Sequence, residues 1–209
     1  MLNRITNVKQ QIILKMINEQ MTIADSSSPN IGNTNVSGGS SVRCIDIEIH
    51  IMRHFDIRQN LIVPNVTDVS MLVGFETDML VLTKSGYATG FEIKVTKGDL
   101  KADLKKKHIK RLGEFAGGKS YFERYFGRFK YFNYAVPIHL QEVALAQIPD
   151  FCGLWVLDKP AYPALPRFYE VREGRKLFDY KWSDGQQYAL ARLGAMRILA
   201  LKECLSYRR

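Results

Sequence analysis

The stretch FETDMLVLTKSGYATGFEIK, residues 75–94, is two apolar runs joined by a tight turn, yet Glu76, Asp78, Glu92 and Lys94 lie inside those runs. The pattern predicts strands over about 72–82 and 87–95. Alternate residues of a strand share a face, so Glu76 and Asp78 project together, as do Glu92 and Lys94. The turn decides whether the two pairs meet. With Lys84, Ser85 and Gly86 as a three-residue loop and glycine in the left-handed position, Thr83 pairs with Tyr87. Asp78 then lies opposite Glu92, and Glu76 opposite Lys94. A two-residue Ser-Gly turn slips the ladder by one and sends Asp78 and Glu92 to opposite faces. The first register is preferred because it gathers all four charges on one face.

Two facing carboxylates repel when both are ionised, so one takes up a proton unless a cation stands between them. Magnesium, or manganese in its place, suits such a site: magnesium prefers oxygen ligands, keeps several waters and uses only one or two carboxylates. Asp78, Glu92 and the backbone carbonyl of Ile93 form the expected ligand set. Lys94, on the face of Glu92, would position or deprotonate the attacking water and stabilise charge on a phosphate. The competing reading is a solvated sheet face on which Glu76 and Lys94 form a cross-strand ion pair.

Upstream, residues 42–56 read as a helix with Ile45, Ile49 and Met52 in one stripe and Ser40 or Ser41 as cap. Asp46, Arg53 and His54 lie away from that stripe. The alternation of Ile45, Ile47, Ile49 and Ile51 also fits a strand. In the helical reading Glu48 falls inside the stripe beside Cys44, Ile45, Met52 and Phe55, where a carboxylate needs a partner or a task. An amphipathic helix is expected within residues 1–24. The segment 25–41, with Ser, Asn, Gly, Pro or Thr at fourteen of seventeen positions, reads as a linker. Residues 42–209 then form the main domain, a mixed α/β fold with helices packed on a central sheet.

The net charge is +9, and residues 94–111 hold eight Lys/Arg against two Asp. That concentration favours a polyanionic partner. A helix is expected over about 97–115, capped by Thr96 and ended by the glycine pair at 117 and 118. Lys97, Lys101, Lys105, Lys106, Lys107, Lys110 and Arg111 are candidate phosphate contacts. Asp99 and Asp103 share a face of this helix and either complement its dipole or support the metal site, as Glu76 also would. Tyr121, Phe122, Tyr125, Phe126 and Phe129, interleaved with Arg124, Arg128 and Lys130, would stack on bases or pack in a core. Strands follow at YFNYAV, GLWVLD and RFYEVRE. The last helix carries a Ser183–Gln186 capping pattern and a face of Leu190, Leu193, Met196, Ala200 and Cys204. Cys44, Cys152 and Cys204 form neither a disulfide framework nor a zinc motif, which suits a cytoplasmic protein. The sequence holds no signal for secretion or for membrane insertion.

Asp78, the E-x-K of Glu92 and Lys94, and a glutamate on the preceding helix resemble the PD-(D/E)XK nuclease superfamily. The likeness is closer to the MmcB-type DNA repair proteins and related phage-encoded proteins, in which E-x-K is followed by D-h-x-x-D-x-K with h apolar. Here those positions are Asp99, Leu100, Asp103 and Lys105. FNYAVP at 132–137 and GLWVLD at 153–158 are also similar, and the resemblance spans about residues 42–173. It implies the restriction-endonuclease-like fold and magnesium-dependent cleavage of DNA in repair or recombination. Asp78, Glu92 and Lys94 would be catalytic, joined by Glu48. The alternatives are a nuclease-fold DNA-binding module without catalysis, or an adaptor whose basic helix holds an acidic partner. A homodimer is compatible with these readings and does not follow from the sequence.

If residues 97–111 contact phosphates, DNA affinity will fall steeply between roughly 50 and 200 mM salt. Replacing Lys101, Lys105 and Lys106 by alanine will flatten that dependence by about one unit of log–log slope per lost contact. Salt-insensitive binding, read by fluorescence anisotropy, would remove this role.

Overall fold

The computed structural model describes residues 41–67, 73, 75–105, 115–116, 119–161 and 164–206. The expected N-terminal helix and nearly all of the linker lie outside them. The chain is organised around a six-stranded mixed sheet in the order β1-β2-β3-β6-β7-β8. Its strands are β1 (Leu61–Val66), β2 (Thr77–Leu82), β3 (Ala88–Ile93), β6 (Tyr131–Pro137), β7 (Gly153–Asp158) and β8 (Arg167–Arg172). A separate small hairpin supplies β4 (Phe115–Ala116) and β5 (Lys119–Ser120). The β3–β6 and β6–β7 pairs are parallel, and the three outer pairings are antiparallel. Pro64, which has no N–H to give a ladder, sits in β1 at the sheet edge.

The β2–β3 ladder follows the three-residue-loop register. Met79 pairs with Phe91 and Leu82 with Ala88, while Gly86 N–H donates to Thr83 O at 2.9 Å. Gly86 has φ of 84°, a backbone conformation that a side chain resists.

Strand alternation then sorts side chains onto two faces. Leu80, Leu82, Phe132, Tyr134, Val136, Leu154 and Val156 fill one core with Leu100, Phe126, Phe129 and Leu190. Met79, Val81, Phe91, Ile93, Ala135, Trp155 and Leu157 form the other, against Ile47 and Ile51. Helices therefore flank the sheet: α1 (Cys44–His54) on the second face, and α2 (Lys97–Asp103), α3 (Tyr121–Phe126), α4 (Gln141–Gln147) and α5 (Asp184–Ser206) contributing to the first.

The buried stripe of α1 is Ile47 and Ile51, both fully buried, whereas Ile45 and Ile49 are 46% and 36% exposed. This corrects the expected stripe. The helix presents the 47/51 edge to the sheet because Met79, Phe91 and Ile93 offer their apolar surface there. The N-cap is Arg43 rather than a serine, and its N–H donates to the Asp46 carboxylate at 3.0 Å. His54 is not idle, since its ring meets Trp155 edge-on at 4.6 Å.

The basic helix ends at Asp103, and Phe115–Ala116 is already strand, so the helix does not run through to residue 115. Phe126 and Phe129 are fully buried, which assigns these two aromatics to the core rather than to base stacking. The cap of α5 matches expectation, with Ser183 N–H donating to Gln186 Oε1 at 3.0 Å and Gln186 N–H to Ser183 Oγ at 3.4 Å. Its inner face differs in part: Leu190 is buried, Gly194 lies against Val63, and Arg197 donates to Asn65 O at 2.7 Å. Met196 is half exposed. Among the described residues no helix is long and apolar enough to cross a membrane.

Gly90 in β3 lets two rings close on the strand, since a β-carbon there would lie 2.6 Å from the Phe132 ring and 2.9 Å from that of Phe129. Both rings are fully buried and have no room to retreat. Gly90→Ala is expected to cost about 1–3 kcal/mol by overpacking, seen as a lower urea midpoint. An unchanged midpoint would contradict this packing.

Candidate functional site

Main-chain pairing between β2 and β3 stops at Met79–Phe91, one step short of Asp78 and Glu92. Beyond it side chains take over. Thr77 Oγ1 donates to Phe91 O at 3.1 Å, and Ile93 N–H donates to Asp78 Oδ2 at 2.7 Å. The Asp78 carboxylate is thus fixed by β3 itself.

Lys94 follows immediately, its N–H held by Ala135 O of β6 at 3.1 Å. Its ammonium Nζ stands 2.6 Å from Glu92 Oε2, 3.2 Å from Asp78 Oδ2 and 3.4 Å from Asp103 Oδ1. Asp103 comes from the last turn of α2, and Tyr134 OH donates to its Oδ2 at 2.7 Å. Tyr134 is the β6 residue paired with Glu92. Four separate elements thereby supply one cluster, in which Glu92 and Asp103 are almost wholly buried and Lys94 is 8% exposed.

Three carboxylates around one ammonium leave excess negative charge in a place poorly reached by water. Burial, and then the Asp78 charge, push the Glu92 carboxyl up to about 8 despite the attraction of Lys94. Burial alone would lower Lys94, but Glu92, Asp78 and Asp103 outweigh it and hold the amine above the usual lysine range. Lys94 therefore remains an ammonium. Burial, followed by Asp103, raises Tyr134, which keeps its proton to donate.

Glu48 lies on α1 beside this cluster, half-buried. Cys44 Sγ donates to its Oε1 at 3.4 Å. Burial raises the Glu48 carboxyl; the Cys44 bond opposes that rise and the Asp78 charge adds to it. Glu76 is exposed and makes no ion pair among the described residues, so the competing Glu76–Lys94 bridge is not formed. Thr96 caps α2: Asp99 N–H donates to Thr96 Oγ1 at 3.1 Å, and Thr96 Oγ1 donates back to Asp99 Oδ2 at 2.6 Å. The two aspartates of the basic helix thus part company, one bonded to the cap and one facing Lys94. Lys97 and Lys101 are exposed on α2, and Lys105 is exposed just past its end. Lys106, Lys107, Lys110 and Arg111 lie outside the described residues.

Tyr134 is the site residue that sequence reasoning passed over. The available signal was a phenol in a central strand: between Phe132 and Val136 on the buried face, its hydroxyl must find a partner.

Among the described residues no group of three or more His, Cys, Asp or Glu side chains is arranged to hold a metal. The acids converge on the Lys94 ammonium instead. Asp78, Glu92 and the Ile93 carbonyl still match the small oxygen set that magnesium accepts alongside water. Glu92 Oε1, buried and without a hydrogen-bond partner, is an acceptor suited to a cation.

Glu92 holds its proton more tightly folded than unfolded, so between about 4.5 and 8 the folded state binds more protons. Stability should therefore fall as pH rises through that window. Glu92→Gln is expected to flatten the fall in denaturation curves recorded from acid to mildly alkaline pH without divalent ions. An equal pH slope in both proteins would refute the shifted carboxyl.

No family model and no curated protein matches the chain. Among solved structures it is similar to a protein of unknown function from Silicibacter pomeroyi, at 17% identity and a TM-score of 0.46, covering 83% of this chain and 94% of that one.

Proposed function

We propose that the chain is a magnesium- or manganese-dependent DNA endonuclease of the PD-(D/E)XK type, acting in the cytoplasm in DNA repair or recombination. The reading rests chiefly on one observation: Asp78 and Glu92 both reach the Lys94 ammonium at the point where the β2–β3 ladder opens. Asp78, Glu92 and the Ile93 carbonyl would hold the ion. When bound, the ion supplies charge neutralisation at the phosphate and lowers the pKa of the attacking water.

The chain's own residues do the rest. Ile93 N–H orients Asp78, and the Tyr134–Asp103 bond keeps a carboxylate beside Lys94. Glu92, Asp78 and Asp103 hold Lys94 protonated in the ion-free cluster, which suits it to donate to and stabilise the charge developing on the phosphate. Lys97 and Lys101, exposed on the helix that begins three residues after Lys94, and Lys105 just past its end would engage the DNA backbone. Glu48 would add a further carboxylate from α1.

One observation favours a second reading. Lys94 is engaged by three carboxylates at once, an arrangement that also suits a structural ion cluster in a domain that binds DNA without cutting it.

Nicking of supercoiled plasmid in Mg²⁺ or Mn²⁺ separates the two. Asp78→Ala and Lys94→Ala are each expected to lower the rate by at least about 10²-fold while DNA binding persists. Cleavage surviving in both variants would remove this site. Binding without cleavage in several metals would establish the second reading, and absence of DNA binding would leave the acidic-partner adaptor.

A further inference from the structure

The sheet face opposite the Lys94 cluster carries a second feature. Helix α1 stops at His54, and Phe55 caps it, so the helix does not extend over the early residues of β3 and β6. There a cavity of about 260 Å³ is lined by Phe55, Tyr131, Asn133, Trp155, Glu170 and Glu173. Glu170 faces Trp155 across the β7–β8 pair. Neither the Glu170 nor the Glu173 side chain has an ion pair or hydrogen bond among the described residues, in a chain of net charge +9. Trp155 is 8% exposed, and its buried indole N–H meets no acceptor. Lys130 stands 5.9 Å from the centre of the Tyr131 ring yet pairs with neither glutamate.

These features select a ligand. Two unpaired carboxylates repel phosphates and other anions, so the DNA backbone is excluded here. A neutral apolar group would fill the aromatic walls and leave the carboxylates and the indole N–H unmet. A cation relieves the carboxylate pair, whose mutual repulsion adds to burial in raising Glu170. Three aromatic side chains favour a flat cation that stacks, which is a guanidinium rather than a compact ammonium. Guanidinium also matches carboxylates with paired donors. Arginine is the side chain by which a protein presents a guanidinium.

The geometry points to a binding site for an arginine side chain presented by a partner protein. It is separate from the proposed nuclease centre and does not rest on that reading.

N-acetylarginine amide, titrated into the full chain, tests it through the indole ¹H–¹⁵N signals of the two tryptophans. Trp155→Phe assigns the relevant signal. The Trp155 signal is expected to move saturably with a Kd on the order of 1 mM. Glu170→Gln and Glu173→Gln should each weaken binding at least about fivefold, and both positions are exposed, so folding is preserved. N-acetyllysine amide, a compact ammonium of the same charge, should bind more weakly, and the neutral N-acetylcitrulline amide should not bind. The assignment is overturned if the Trp155 signal does not saturate, if citrulline amide binds as well, or if the glutamine variants bind unchanged. N-acetyllysine amide binding as tightly as the arginine amide would overturn the assignment to a guanidinium.

Discussion

Everything at the Lys94 cluster depends on the register of one hairpin. Gly86 closes a three-residue loop at φ of 84°, and that loop sets Leu82 against Ala88 and Met79 against Phe91. A ladder slipped by one residue would send Asp78 and Glu92 to opposite faces and put one of the two carboxylates among the apolar side chains of the α1 side. The same register decides which apolar residues meet Ile47 and Ile51 of α1. Core and cluster are thus selected together by one turn.

The second constraint is electrostatic. One ammonium shared among Asp78, Glu92 and Asp103 does not balance their charge, so the cluster keeps a proton on Glu92 or recruits a cation. Burial sharpens this choice, because neither Glu92 nor Asp103 can turn to water. Such tension is costly for a purely structural element, since an apolar replacement of similar size is often as stable. It is useful where a divalent ion and a phosphate are to be handled in turn. The opposite face has a different imbalance, two glutamates beside aromatic rings with no cationic partner among the described residues, which is the basis of the arginine site proposed there.

Local sequence signals carried far where the physics was local. The Lys-Ser-Gly turn, the alternation of the flanking strands, the Ser183–Gln186 cap and the Thr96 cap each involve residues within a few positions of one another. They are legible because the interaction and its sequence spacing are the same thing. The stripe of α1 was misread for the complementary reason. Ile45, Ile47, Ile49 and Ile51 are all apolar, so periodicity could not choose among them, and the surface offered by β2 and β3 made the choice. Asp99 and Asp103 were likewise indistinguishable as two acids on one helix face. Only the position of α2 relative to Lys94 and Tyr134 separated the cap's partner from the cluster member.

By itself the sequence determined the α/β class and the hairpin, and favoured the turn that brings Asp78, Glu92 and Lys94 to one face of the sheet. These follow from backbone periodicity and from the conformational freedom of glycine, which act over a few residues. Tertiary structure alone decided that the ladder opens at Asp78, that Asp103 and Tyr134 join Lys94, and that Glu76 stays outside. It also left Glu170 and Glu173, near Trp155, with no cationic partner among the described residues. Those outcomes depend on which buried groups meet across β3, β6, β7, β8 and α2, and the cost of an unpaired charge or polar atom is set by that meeting rather than by distance along the chain.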